Sequence, residues 1–438
     1  MNVAPELRST IKGRVLVPGD EGFEQATRPW NVSVAQPVDA VVDAADADDV
    51  AALVRHARLN GRTVLTQPSG HGATGDVEGT ILLRTGHLDE FDVRPSERTA
   101  RVGAGVKWGR VMEAASPHGL TGLAGSSPVV SVTGYTVGGG LSWFSRRHGF
   151  AADAVRAFDI VDAGGDRARV TADSDPDLFW ALRGGSGDFA IVTAIEFDLF
   201  PAPRLYGGRL TWPGEKAPEV LAAFREVTAA APDELAVWFD LLQFPGAPPL
   251  AGVDFTFLGD AADAAGLLGP FDKIGGLLSD GRRVLPVAEL GSITAEPTDP
   301  SPGSSRAELL TELTDDVAAT LLEEPIDPLL SVQLRHLGGA LARPHENAGA
   351  SGRITEPYLL YMLGIAATPE RGAAARGRQA EIATALTAAT SGRKPYTFLT
   401  AGEKAASAFS PAALSRLREI KRDRDPLGVF RSNFPVNG

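Results

Sequence analysis

The chain has no cysteine. That excludes disulfides, thiolate metal sites and a cysteine nucleophile, and no metal site is expected. No run reaches the roughly eighteen apolar residues of a membrane-crossing helix. Residues 1–8 lack an apolar core followed by a small-residue cleavage site, so a cytoplasmic protein that engages no membrane is expected. Basic charge is in deficit, with 42 Lys and Arg against 55 Asp and Glu. A net charge of −13 and a pI near 5.1 argue against nucleic acid as a partner. Tyrosine is scarce, with five in all, which limits the candidates for any phenol chemistry. What is present, 43% hydrophobic and 22% charged residues over 438 positions, suits a soluble globular chain of two domains.

Strand and helix signals alternate through the first block. Residues 39–42 read as a strand, and 48–60 as a helix with Val50, Ala51, Val54 and Ala57 at helical spacing. Strands follow at 63–66, 79–84 and 99–102. A helix over 106–116 carries Val106, Trp108, Val111 and Met112 on its apolar side. The 155–162 strand turns through Gly164-Gly165-Asp166 into 167–171 as a hairpin. A short helix at 175–182 precedes a strand at 190–200, where Ile191, Thr193, Ile195 and Phe197 alternate with mostly small or polar neighbours. Pro201-Ala202-Pro203 ends the block.

The second block shows strand-like runs at 235–242, 252–258, 331–337 and 358–366, with helical runs at 219–230 and 373–388. This pattern predicts an antiparallel sheet covered on one face by helices. Residues 297–305 and 344–352, rich in Pro, Gly and Ser, read as surface loops. A helix over 410–421 opens with Ser410 and Pro411, and Asp425-Pro426 leads into an extended tail.

Two glycine-rich stretches are the chief chemical signal: Gln67-Pro-Ser-Gly-His-Gly-Ala-Thr-Gly75 and Gly134-Tyr-Thr-Val-Gly-Gly-Gly-Leu-Ser-Trp143. Together they read as backbone cradles for a diphosphate, because glycine reaches positive φ and lets N–H groups approach an anion. His71 stands on a loop leaving a strand, where ligands are commonly held. A turn residue or a satisfied polar group is the plain alternative.

Further motifs follow in order. They are Gly125-Ser-Ser-Pro128, Trp143-x-Ser145-Arg-x-x-Gly149, Ala151-Ala-Asp153 and Asp177-Leu-Phe-Trp-Ala-Leu-Arg-Gly-Gly-Ser-Gly-Asp-Phe189. Lys421-x-x-x-Asp425-Pro426 and Phe430-Arg-Ser-Asn433 complete the set. In this order they resemble the FAD-linked oxidoreductases of the vanillyl-alcohol-oxidase superfamily, berberine-bridge-enzyme-like branch. The resemblance spans 28–201 and resumes over 396–433.

That resemblance implies an α+β, two-domain FAD-binding fold of the PCMH type. Residues 1–202 would form the FAD-binding domain, with its core at 34–202. Residues 203–392 would form a substrate domain of antiparallel sheet covered by helices, and 393–438 a segment returning to the FAD domain. His71 corresponds to the histidine that carries FAD covalently through the 8α-methyl group. Ser127 stands where many members have a second tethering cysteine, so attachment would be single. The same resemblance places FAD against Pro68, Ser69, Gly70, His71, Gly72 and Ala73 of the first loop. On the second stretch it implicates Gly125, Ser126, Ser127, Gly134, Tyr135, Gly138 and Gly139. Ala152, Ile191, Val192 and Asn433 complete the cofactor contacts.

The reaction implied is hydride transfer from a carbon of a small, secondary-metabolite substrate to flavin N5, with O2 as an acceptor for the electrons and a positioned base taking a proton. The chain departs from the family where Gln67-Pro68 replaces Arg-Gly. It departs again where the Tyr-x-Asn-Tyr element reads Tyr396-Thr-Phe398-Leu399. With Leu399 in place of the second tyrosine, a cyclase or isomerase using FAD structurally is the alternative reading. Tyr396, Tyr361 and Tyr358 are the catalytic candidates. Tyr358 and Tyr361, three apart on a strand, point to opposite faces, so at most one meets the cleft. Asp240 and His336 are secondary candidates, while His118, His148 and His345 read as surface or turn residues.

Overall fold

The computed structural model describes residues 4–323, 325–346 and 348–438. Three large sheets organise the chain. In the first, the strand order is Arg14–Leu16, Ala40–Asp43, Thr80–Arg84, Thr63–Thr66, Phe430–Arg431. Ala40–Asp43, Thr80–Arg84, Thr63–Thr66 and Phe430–Arg431 pair in parallel. Strands of this kind are buried on both faces, so they read as unbroken apolar runs such as Val41-Val42 and Ile81-Leu82-Leu83. The helix Ala47–Leu59 covers the sheet through Val50, Leu53, Val54 and Ala57, and Asp46 opens it by accepting from the amides of Asp48 and Asp49. The second sheet is antiparallel, in the order Phe91–Arg94, Thr99–Gly103, Ile191–Asp198, Val155–Val161, Arg167–Val170.

The third sheet has eight strands. Its central order is Tyr206–Pro213, Leu250–Phe257, Leu235–Leu242, Leu329–His336, Tyr358–Ile365, Gly303–Leu310. Every pairing among these is antiparallel. Strand side chains alternate between faces. One face presents Val237, Phe239, Val253, Phe255, Leu334 and Leu360 to the helices Ala217–Ala230, Ala261–Asp272, Asp315–Leu322 and Pro369–Ala385. Each fully buried side chain there contributes about 1.5–3 kcal/mol of apolar burial. The other face turns toward residues 141–152, where Ala307, Leu309 and Leu359 pack with Leu141, Phe150 and Ala152.

Several expectations need correction. Residues 303–305 are not loop but the start of a strand, paired Gly303 to Ile365 and Ser305 to Leu363. Small residues are tolerated there because Asn31 covers the edge, accepting from the Gly303 amide and donating to its carbonyl, each at 3.1 Å. The 344–352 stretch, of which position 347 lies outside the described residues, is not wholly a surface loop. Ala350 is buried and donates to the Trp180 carbonyl, and Ser351 packs on Gly184. His148 is not a surface residue either, since its ring stacks on Phe200 at 4.2 Å and its Nε2 is buried. His118 and His345 are exposed.

The helix Pro411–Arg424 returns the chain to the first sheet. Lys421 Nζ donates to the carbonyls of Asp188 and Phe430 and to the Asp425 carboxylate, each at 2.7 Å. Asp188 accepts in turn from the amides of Ser432 and Val436 at 2.8 Å. These buried bonds seat Phe430–Arg431 beside Thr63–Thr66. Among the described residues no helix is long and apolar enough to cross a membrane.

Candidate active site

The first glycine-rich loop leaves the Thr63–Thr66 strand. Gly70 has φ +78°, and a Cβ there would lie 2.8 Å from the Pro29 side chain, so no other residue fits without displacement. The loop is tied down through Trp30, whose amide donates to the Ser69 carbonyl at 3.0 Å. The Trp30 indole stacks on His71 with centroids 4.4 Å apart. Ser69 Oγ and His71 Nδ1 share a 2.8 Å hydrogen bond. Burial first, and then the charge of Lys107, push His71 down to about 4. The imidazole is therefore neutral at neutral pH, and its Nε2 is buried without a protein partner.

Other segments converge on this loop. A Cβ at Gly134 would sit 3.7 Å from the Pro68 ring. The Gln67 amide donates to Asn433 Oδ1 at 3.0 Å, and a Cβ at Gly72 would lie 3.5 Å from Asn433 Nδ2. Gly139 and Gly184 both have positive φ and both press on Ser351, leaving 2.6 and 1.8 Å between its Oγ and an added Cβ. Ala152 donates to the Gly139 carbonyl, and Ala73 to that of Gly70. Gly125 faces the Tyr135 ring, and Gly138 packs under Tyr396 and Thr397. The Ser126 carbonyl faces Gly291. Ile191 and Val192 open a strand with their side chains given over to core packing.

The arrangement leaves a set of buried polar atoms without protein partners: Gln67 Oε1, His71 Nε2, Ser127 Oγ, Thr133 Oγ1, Tyr135 Oη and Ser351 Oγ. Each such atom costs about 1–3 kcal/mol unless something bonds it. Short donors and acceptors lining a glycine-walled cradle fit FAD, whose phosphates, ribityl chain and ring edge need both. Among the described residues no cluster of three or more His, Asp or Glu is arranged for a metal.

Across from the cradle, the inner face of the eight-stranded sheet is polar. Sheet register puts Arg209, Asp254, Trp238 and Arg335 in one row, and Asp240, Gln333 and Tyr361 in the next. Arg209 donates twice to Asp254, each time at 2.6 Å. Asp240 accepts from Ser331 Oγ at 2.6 Å and from the Gln333 amide at 3.2 Å. Burial, then the charge of Asp254, push Asp240 up to about 7. Gln333 Oε1 accepts from Arg335 Nε at 2.6 Å. The Arg335 guanidinium lies 3.9 Å over the Trp238 ring, whose other face stacks on Trp143 at 3.5 Å. A narrow cavity here is lined by Trp143, Arg146, Trp238, Arg335, His336 and Phe398.

Of the tyrosine candidates, only Tyr361 faces this cleft, beside Phe398 and Arg335. Tyr358 does not, because strand alternation puts it on the helix side. It packs there on Phe224, and its hydroxyl bonds Thr228 at 2.9 Å. Tyr396 is also misassigned as a base. Its hydroxyl donates to Ser432 Oγ and the Phe434 carbonyl at 3.2 Å, and burial holds it far above the ordinary phenol range. His336 bonds Arg146 at 3.1 Å, and burial with that charge pushes it down to about 3, so it takes up no proton near neutrality. Trp238, Gln333 and Arg335 escaped the sequence reading. The signal was there in Leu329–His336, where Ser331, Gln333 and Arg335 recur at every second position.

Residues 38–171 match the family model described as FAD binding domain. (R)-6-hydroxynicotine oxidase of Paenarthrobacter nicotinovorans is 28% identical over 98% of this chain and 97% of its own length. The solved 6-hydroxy-D-nicotine oxidase of Arthrobacter nicotinovorans shares the fold with a TM-score of 0.85 at 24% identity, covering 98% of each chain. BBE-like 1 of Physcomitrella patens does so with a TM-score of 0.86 at 18% identity, over 100% of this chain and 99% of that one.

Proposed function

We propose that the chain is an FAD-linked oxidoreductase of the berberine-bridge-enzyme-like kind, a reading supported by the matches to the FAD binding domain and to the nicotine oxidase, and that it oxidises a small substrate held between the cradle and the eight-stranded sheet, with FAD tethered once, through His71. The observation that carries this reading is the neutral His71 imidazole, its Nε2 buried and unpartnered where segments 67–72, 134–139 and 433 meet. A neutral ring nitrogen is nucleophilic, and stacking on Trp30 with a hydrogen bond from the Ser69 side fixes its direction. No cysteine exists for a second link.

FAD, when bound, supplies a two-electron acceptor. The chain supplies the rest. Trp143 and Trp238 wall off water, and Tyr361 and Phe398 shape the substrate floor. Asp240, pushed up to about 7, is a group on that face able to take up and release a proton near neutrality. Dioxygen is the proposed electron acceptor, in keeping with the oxidase named above.

Acid precipitation of the purified protein tests the tether. Yellow colour is expected in the wild-type pellet and in the supernatant of His71→Ala. Colour only in the supernatant of both sinks the covalent claim, and flavin absent from both sinks the redox reading.

A further inference from the structure

Arg335 differs from the other inward-facing arginines. Arg146 has its nitrogens on the carbonyls of Leu235, Ala231, Pro232 and Leu337. Arg84 is held by the carbonyls of Ala26, Gln67, Thr27 and Arg28. Arg209 grips Asp254 with two nitrogens. Arg335 bonds protein through Nε alone, to Gln333. No described carboxylate lies within 4 Å of it. Trp238 holds the guanidinium plane from one side, with Tyr361 and Phe398 at 5.2 and 5.5 Å. The fork of terminal nitrogens is thus fixed in orientation, left without protein acceptors and set in the cavity between the two domains.

Arg335 is half-buried, and a guanidinium whose terminal nitrogens have no protein acceptor is open to pairing with an anion that enters the cavity. A planar fork is matched by a carboxylate, which accepts two parallel N–H bonds. Resting on the reading of this cleft as the substrate site, we infer that Arg335 binds the carboxylate of a small organic acid, the substrate, whose apolar body lies along Leu359, Tyr361 and Phe398. The acidic neighbours do not cancel it. Asp254 is neutralised by Arg209, Asp240 is largely protonated below about 7, and Glu296 acts on Arg335 only from beyond ion-pair range.

The test titrates the full-length protein with benzoate and with benzamide, its uncharged match, following the fluorescence of the Trp143–Trp238 stack. Benzoate is expected to bind roughly ten- to hundredfold tighter. Arg335→Gln should bring benzoate down to the benzamide level, and Arg335→Lys should keep part of the preference, retaining charge without the fork. Equal binding of the two probes, no benzoate binding, or a preference that survives Arg335→Gln overturns the assignment. If that variant does not fold, the wild-type pair of titrations decides alone. Protein that holds flavin but ignores probe charge overturns only the role of Arg335. Protein that prefers benzoate but holds no flavin overturns only the redox reading.

Discussion

Around His71 the protein offers backbone, glycine and short hydroxyl side chains. Across the cleft, the inner face of the eight-stranded sheet offers guanidinium and carboxylate groups, all but one bonded to one another. The cradle is shaped by where side chains are missing, so adding a methyl group damages it. The sheet face is shaped by pairs and networks of charge, so removing a charge damages it. A surface of the first kind holds one invariant ligand, while one of the second kind can change its ligand by changing single residues.

The largest effect is expected where the two regions are joined. Arg146→Met strips four carbonyls of their donor and should lower stability by about 3–5 kcal/mol, read from the denaturant midpoint. Within the cradle, Gly184→Ala adds a Cβ 1.8 Å from Ser351 Oγ at φ +104°. Strain and overlap should cost about 2–4 kcal/mol and lower the ratio of flavin to protein absorbance. If the ratio holds, the contrast drawn above is wrong.

On the sheet face the expected change depends on pH. Burial raises Asp240 to about 7 in the folded chain, against about 3.9 unfolded. Folding therefore binds a proton between those values, and that group's contribution to stability, full below about 4, is lost as pH climbs to about 7. Asp240→Asn carries no such loss. Its stability relative to wild type should rise across that window by about 4 kcal/mol and then level off. A flat difference in melting temperature between pH 4.5 and 8 would contradict this. The smallest effect belongs to Tyr358→Phe, which forfeits one hydrogen bond to Thr228. About 1 kcal/mol of stability should go, with kcat untouched, because the hydroxyl faces the helices.

The contrast also explains what the sequence revealed. The cradle was legible because its constraints are local. Positive φ and close approach demand glycine within a few residues of His71, so the pattern survives as a contiguous motif. Leu235–Leu242 was legible for a similar reason, as an apolar run of strand length. On the sheet face only Asp240 and Tyr361 were legible, because Arg209, Asp254, Gln333 and Arg335 come from three further strands and join them only through register. Tyr206–Pro213 was missed as a strand because Gly207 and Gly208 look like turn chemistry. Their real task is steric, since a Cβ would fall 2.8 Å from the Phe255 carbonyl at Gly207 and 2.2 Å from that of Gly281 at Gly208. Tyr396 read as a catalytic candidate because its hydroxyl partners lie 36 and 38 residues further on, in a tail that carried no strand signal.

That tail has a consequence for the order of events at birth. Gln67 and Asn433, 366 residues apart, share the bond that closes one side of the cradle. The Asp188–Lys421 pin that steadies it draws on Ser432 and Val436. A nascent chain can therefore finish both glycine loops and the entire eight-stranded sheet while its cofactor site still lacks a wall. The cradle cannot close until the chain has been made at least as far as Val436.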